Sequence, residues 1–542
     1  MTSVSIILIA QLAVKILGMF YRLVITNIEG FGDSGNGFYQ TGFQVYTLLL
    51  AISSVGIPNA VSKMVSEKTA LGDYKGAHRI FKTALLLFAG VGLACSALLY
   101  FGADFIANEI IGMGAGVSYT MRALAPSTFF VCVSSVISGY FLGNRDMRAT
   151  SSSQVLEQFF KCTLTITIVF MLAGQAPEIM SAGANLATTI ATMLSFAYLW
   201  IFYSTQRKGI MQRVNEAPQM GEKKPIGKVM ASIIMIAFPI ALSAIITSIT
   251  RIIDTATIAR GIKTAFEAGI PGQAGVPTME ALEKEAVRLA GQLSKSDTLT
   301  NLPLALNIAF STALVPTVSS AMALGKREEA SGKILYSMLI SILLVLPCAI
   351  GYIALAKPIY SMLYPNASLG FDLLMISSVA LVFMALNQTI SGALQGLGKI
   401  YVPAVGLLIG GAVKVILNVI LIRQPSINIY GAAISTVVCH FIAFGISFYV
   451  IVRELKLKVD LKKYLVKPLI SAVTMGAAAV LTHRLVLMVC HKNMLAVLCA
   501  IAVGVIVYAV MLLFVRVLGR EEIEQLPMGK KLTSIPFIDK RL

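Results

Sequence analysis

The chain has 542 residues, 57% of them hydrophobic and 13% charged, with a formal net charge of +18. Soluble domains carry about 25% charged residues, so a soluble enzyme, a disordered chain and a coiled coil are excluded: none could keep this much apolar surface from water. The apolar excess is gathered in stretches of roughly 20 residues, the length that crosses a ~30 Å hydrocarbon layer, and the expected class is an all-α polytopic membrane protein.

Fourteen transmembrane spans are predicted in chain order, at 3–27, 38–62, 83–103, 116–142, 151–173, 180–203, 229–260, 298–322, 334–356, 371–396, 401–422, 429–452, 468–487 and 494–515. The first lacks a basic leading region and is too long for a cleavable signal. Lys and Arg crowd the loops around Lys63–Lys82, Arg207–Lys228 and Arg453–Lys467, which the positive-inside rule places in the cytoplasm together with both termini. The charge of +18 is thus a topological address, and no nucleic-acid partner is expected.

The chain repeats itself. Gly56-Ile57-Pro58-Asn59-Ala60-Val61-Ser62 closes span 2 and Leu314-Val315-Pro316-Thr317-Val318-Ser319-Ser320 closes span 8. Ile137-Ser138-Gly139-Tyr140-Phe141-Leu142-Gly143 in span 4 matches Ile390-Ser391-Gly392-Ala393-Leu394-Gln395-Gly396 in span 10, and the same offset carries Lys161 onto Lys414. Gly183-Ala184 and Gly431-Ala432 open spans 6 and 12. An ordered set of matches at slowly drifting offsets marks two homologous six-span lobes of one orientation, the build of an alternating-access transporter. The expected divisions are an N-terminal lobe 1–204, a basic cytoplasmic linker 205–228, a C-terminal lobe 229–453, a basic loop 454–467, helices 13 and 14 over 468–515 and a cytoplasmic tail 516–542.

Charges inside spans are costly and tend to face a cavity. Seven basic residues lie within or at the margins of spans, Lys15, Arg22, Arg122, Lys161, Arg251, Arg260 and Lys414, against two acids, Glu157 and Asp254. A structural network would pair its charges; this surplus of cations calls for an anion. Lys15 and Arg22 are seven apart, on one face of span 1. Arg251 and Asp254 are three apart on span 7, the equivalent of span 1 in the second lobe. An arginine fork gives a phosphate two parallel charge-assisted hydrogen bonds, so Arg22 and Arg251 are the leading candidates for a pyrophosphate, with Lys15, Lys161, Lys414 and Asp254 beside them. Glu157 and Lys161, four apart, either neutralise each other or relay a proton or cation. Arg260 and Arg122 sit near span ends, where snorkelling to the interface accounts for them.

Gly56, Pro58, Gly139, Pro316 and Gly392 are candidate hinges, with ordinary small-residue packing as the other reading. The external stretch 261–297 contains Met279–Leu293, which reads as a short amphipathic helix, either a cover for the cleft or a solvated connector. Seven cysteines without paired spacing give neither a disulfide framework nor a metal site. No phosphate loop, metal-ligand motif or nucleophile motif is present. No cofactor is expected, and the driving force would be a coupling ion (Na+ or H+), the membrane potential or the substrate's own gradient.

The run Lys15-Ile16-Leu17-Gly18-Met19-Phe20-Tyr21-Arg22, then Gly37-Phe38-Tyr39-Gln40, then Gly56-Ile57-Pro58-Asn59-Ala60-Val61-Ser62-Lys63 closely resembles the polysaccharide-biosynthesis membrane proteins of the stage V sporulation protein B type, a Gram-positive branch of the MurJ-like lipid II flippases. Asp73-Tyr74-Lys75-Gly76-Ala77, Ser138 to Gly143 and Gln154-Val155-Leu156-Glu157-Gln158 extend the resemblance, which covers nearly the whole chain. It departs in Asn59, where many relatives carry an apolar residue. The resemblance implies membership of the multidrug/oligosaccharidyl-lipid/polysaccharide exporter superfamily: two six-helix lobes in a V shape around a cationic cavity, with two extra helices forming a groove for a lipid tail. The implied work is to flip lipid-linked peptidoglycan precursor across a bacterial plasma membrane, with an undecaprenyl-pyrophosphate-linked glycan and membrane lipids as ligands. Cell-wall synthesis machinery is a candidate partner, and a monomer is expected. Arg22 and Arg251 match arginines important in the family's cavity.

Three alternatives stay open. A flippase for a capsule, teichoic-acid or spore-cortex glycan shares the chemistry. A multidrug or cation antiporter would want acids in its cleft, and a membrane glycosyltransferase would need paired carboxylates; the sequence speaks against both.

Overall fold

A computed structural model describes residues 2–51, 56–144, 146–217, 225–271, 275–457 and 459–519. Pro218 of the expected linker and the tail beyond Gly519 lie outside the described residues. No described residue is in a strand. The helices run α1 Thr2–Thr26, α2 Gly32–Ala51, α3 Ile57–Ala70, α4 Tyr74–Phe101, a single turn α5 Ala103–Phe105, α6 Ala115–Gly143, α7 Arg148–Met171 and α8 Pro177–Glu216. They continue as α9 Ile226–Ala265, α10 Met279–Ala323, α11 Arg327–Leu363, α12 Phe371–Gly396, α13 Tyr401–Leu421, α14 Ile429–Leu455, α15 Lys467–Cys490 and α16 Asn493–Phe514. The expected spans fall on these helices, with 52–55 of the second outside the described residues. Among the described residues nine helices are long and apolar enough to cross a membrane by length and composition alone, with shorter apolar stretches at Ile226–Phe238 and Leu314–Ala323.

Local chemistry sets several helix ends. Asp73 caps α4, its Oδ1 accepting from the Gly76 N–H at 2.8 Å, one of the donors a helix start leaves unpaired. Pro177 opens α8, where its missing N–H costs nothing. Between a π-helical turn at Ile106–Ile111 and α6, Gly112 and Gly114 both take φ of 79°, a region open to glycine and costly for other residues. In α11 the helix bends at Leu355 (φ −118°, ψ 21°), three residues before Pro358; a proline ring clashes with the carbonyl four residues back and bends the chain there.

Expected span 2 (38–62) covers described parts of α2 and α3, and Pro58 sits in the first turn of α3, where a proline is readily accommodated. One stretch differs from the sequence reading. The expected short amphipathic helix is not a separate element: Met279–Leu293 forms the first turns of α10, which continues without interruption to Ala323. Its inward face, Leu282, Ala286 and Leu289, is buried, so it packs as a helix face and is not a solvated connector.

The chain forms two compact units, residues 1–294 with 418–429, and residues 295–417 with 430–542. In the first, α6 packs on α8, α4 and α3, and α7 on α8 and α1. Its main core gathers Ile57, Val61, Phe81, Tyr140, Phe141 and Tyr203. In the second, α11 packs on α12 and α15, and α15 on α16, around a core that includes Val318, Ile334, Ile390 and Leu394. None of the seven cysteines is in a disulfide.

Candidate substrate site

The first unit brings together polar side chains that the sequence scatters over 230 positions. On α1, Arg22 donates from Nη2 to Oε1 of Gln40 on α2 at 2.8 Å, and its Cζ lies 5.4 Å from the centre of the Tyr39 ring, within cation–π range. Tyr39 in turn shares a 2.9 Å hydrogen bond with Tyr21, hydroxyl to hydroxyl. Lys15, two turns earlier on α1, lies within electrostatic range of both Arg251 and Arg22. Neither Lys15 nor Arg251 has an acid within ion-pair distance among the described residues. Lys15 and Arg251 are both exposed. Three cations are thus held near one another, and like charges so placed repel unless an anion or high-dielectric water lies between them.

Beneath this cluster the predicted Glu157–Lys161 neighbours on α7 part company. Lys161 is buried, its Nζ 4.5 Å from the Phe43 ring centre and 5.7 Å from that of Tyr21. Glu157 turns to α8, where Thr192 Oγ1 donates to its Oε1 at 3.4 Å, while the nearby Ser195 hydroxyl donates to the Ser153 carbonyl at 3.2 Å. The two are not in direct ion-pair contact, though each lies within electrostatic range of the other, and aromatic faces and hydroxyls make their close contacts.

Asp254 on α9 occupies a second polar centre. Asn418 Nδ2 donates to Asp254 Oδ1 at 2.6 Å and to Thr257 Oγ1 at 3.0 Å, and Thr255 Oγ1 donates to Gln44 Oε1 on α2. Lys414 is half-buried on α13 in the second unit. The arginines read as interfacial are engaged at the rim: Arg122 pairs with Asp104, and Arg260 Nη2 donates to the carbonyls of Glu109 and Ile110 at 3.0 and 3.4 Å.

The candidate hinges sit at close helix crossings. A Cβ on Gly139 would come within 2.8 Å of the Pro58 carbonyl oxygen, and Gly56 stands equally close to that of Ala237. Gly392 faces the Ser311 carbonyl, and Pro316 lies exposed within α10. Gln40, Gln44, Tyr21, Tyr39, Phe43, Thr192, Thr255 and Asn418 are site residues that charge counting passed over. Their signal was uncharged polarity or aromaticity inside spans; only Thr255 and Asn418 also lie four positions from a charged residue, Arg251 and Lys414.

Helices of membrane-crossing length, no described strand and a cluster of intramembrane cations define a polytopic all-helical membrane protein built like a transporter. The chain belongs to the polysaccharide biosynthesis protein family, which it matches over residues 1–322, and residues 290–515 match the family described as lipid II flippase MurJ. It is 25% identical to the lipid II flippase MurJ of Bacillus subtilis (strain 168) over 481 residues, covering 86% of this chain and 85% of the relative. Stage V sporulation protein B of the same organism is 23% identical over 532 residues, 97% of each chain. The solved structure "Lipid II flippase MurJ, inward closed conformation" superposes with a TM-score of 0.67 at 15% identity, covering 94% of this chain and 98% of that one.

Proposed function

We propose that this protein is a flippase that carries lipid-linked peptidoglycan precursor, lipid II, from the inner to the outer leaflet of the plasma membrane by alternating access. The observation that carries the reading is the grouping of Lys15, Arg22 and Arg251 with no acid paired to Lys15 or Arg251 among the described residues. A pyrophosphate headgroup supplies the missing negative charge. Arg22, oriented by Gln40 and backed by the Tyr39 face, takes phosphate oxygens through its fork, and Arg251 takes the second phosphate while the polyprenyl tail stays in lipid. Lys161 of the same unit is a further candidate contact for the glycan or phosphates. Relatives named as a lipid II flippase and as a sporulation protein support this substrate class.

A coupling cation, Na+ or H+, would be taken by Asp254, whose Oδ1 accepts from the Asn418 amide that also donates to Thr257 Oγ1, with Glu157 as the candidate for a proton. Both termini face the cytoplasm in this reading, following the basic loops. Another undecaprenyl-pyrophosphate-linked glycan would use the same cations, and headgroup competition separates the two. The test uses protein reconstituted in vesicles with fluorescent lipid II, Arg22→Ala and Arg251→Ala beside the wild type. Loss of flipping in both, with normal insertion, is expected. Flipping at wild-type rates in both variants overturns the phosphate clamp, and inhibition by a peptide-free glycan carrier as strong as by lipid II itself overturns the named substrate.

A further inference from the structure

In the second unit, α11 and α15 leave an open groove of about 470 Å³ between them. Ile350, Ile353 and Ala354 line it from α11, and Val473, Ala477 and Leu481 from α15, with Arg484 as its charged residue. The α15 residues recur every three or four positions, so they form one stripe along the helix. From Val473 to Arg484 that stripe is about 16 Å long at 1.5 Å per residue. The helices touch at its floor, where a Cβ on Gly476 would meet Ile350 Cγ2 at 2.8 Å. Arg484 stands at the end of the stripe nearer the helix terminus at Cys490, away from the basic run at Lys462–Lys467. It is exposed, and no acid lies within ion-pair distance of it among the described residues.

A dry trough ending in an unpaired guanidinium is complementary to an amphiphile with a phosphate at one end. We propose that the groove is a binding site for an anionic glycerophospholipid, one acyl chain along α11 and α15 and the phosphate on Arg484. Its length decides between occupants. One leaflet of a ~30 Å hydrocarbon layer is about 15 Å deep, which a single acyl chain fills, whereas a long polyprenyl tail would leave most of its length outside. Mass action points the same way, because a site open to the bilayer is filled by the most abundant ligand that fits it. The groove belongs to the second unit and the cation cluster on α1 and α9 to the first, and the occupant proposed for the groove is a phospholipid distinct from the transported lipid. Charge-assisted bonds from a guanidinium to phosphate are the strong class of hydrogen bond, so the headgroup contributes measurably to binding over chain contact alone.

The test is native mass spectrometry of the delipidated full-length protein titrated with phosphatidylglycerol, with undecaprenyl phosphate as competitor. Ala477→Phe fills the trough from an exposed position, Arg484→Gln removes the charge and Arg484→Lys keeps it. The tightest phosphatidylglycerol adduct is expected to weaken about tenfold in Ala477→Phe and Arg484→Gln and to persist in Arg484→Lys. Leu481→Trp serves as a second filling variant should Ala477→Phe unfold, as read by thermal melting. Unchanged binding in Arg484→Gln overturns the phosphate contact and leaves Arg484 as a snorkelling side chain. Displacement of phosphatidylglycerol by equimolar undecaprenyl phosphate overturns the assignment of the occupant.

Discussion

Gln40 Oε1 accepts a 2.8 Å hydrogen bond from Arg22 Nη2, and the two residues stand on different helices, so α2 sets the direction in which an α1 guanidinium points. Hydrogen bonds to a charged group contribute about 1.5–3 kcal/mol, and 1.4 kcal/mol is tenfold in an equilibrium. Gln40→Ala is expected to lower the initial rate of flipping about tenfold while leaving the amount of inserted protein unchanged. Gln40→Glu should do more harm, since a carboxylate there neutralises the cation that the substrate needs. Initial rates in vesicles decide it: wild-type rates in both variants would show that Arg22 needs no orienting partner.

Arg22→Lys separates charge from geometry at the same place. The ammonium keeps the positive charge and loses the planar fork and the stacking on Tyr39. Partial activity, between wild type and Arg22→Ala, is expected, with the loss appearing as weaker lipid II binding by native mass spectrometry. Full activity would mean that a point charge suffices.

Glu157 is held by Thr192 on α8, and Lys161 lies against aromatic rings. An amide at position 157 can still accept from the Thr192 hydroxyl. Glu157→Gln should therefore melt within a few degrees of wild type and change the dependence of flipping on pH or Na+. A large drop in melting temperature with unchanged ion response would instead make Glu157 a structural residue.

Asp73 gives a pH dependence outside the spans. Burial works to raise its carboxyl pKa, but the hydrogen bonds from Lys68 and the Gly76 N–H, with the Lys68 charge, outweigh it and hold the carboxyl below its ordinary value. A carboxyl depressed in the folded state contributes stability that is full above its unfolded value of about 3.9 and is lost as pH falls through the lower folded value. Asp73→Ala should cost about 0.5–2 kcal/mol, the range for removing a helix cap. The wild-type melting temperature should fall below about pH 4 more steeply than that of Asp73→Asn. Parallel pH curves for the two proteins would remove Asp73 from this role.

Much of this was legible in the sequence because it rests on composition and periodicity. Stretches of membrane-crossing length set the fourteen spans, and the cost of a charge in lipid singled out Arg22, Arg251 and Lys15 before any contact was known. What stayed hidden depends on partners from distant parts of the chain. Spacing put Glu157 within electrostatic range of Lys161, but the rings from α1 and α2 against Lys161 and the α8 hydroxyl on Glu157 could not be read from it. Gln40 and Asn418 carry no charge, so nothing in a charge count marks them. Lys295 falls in the stretch read as external, and it is buried, its Nζ donating to the carbonyls of Ala367 and Leu369 and lying 5.3 Å from the Tyr360 and Tyr364 ring centres. Only the return of the chain after α11 supplies those acceptors.

The first turns of α10 show which of two kinds of contact holds an element down. Lys263 pairs with Glu283 at 2.8 Å and Arg288 with Glu285 at 2.7 Å, and pairs at or near a surface contribute about 0–1 kcal/mol. Beside them Gly37 and Gly291 let α2 and α10 approach until a Cβ on either would run into backbone, at Val287 and Asp33 respectively. Backbone cannot swing aside as a flexible side chain can, and overpacking of this kind costs about 1–3 kcal/mol. Lys263→Ala should therefore shift the melting temperature little, whereas Gly291→Val and Gly37→Val should each lower it by several degrees. If Lys263→Ala were the more damaging change, the ion pair would be the dominant contact and the glycine crossing secondary.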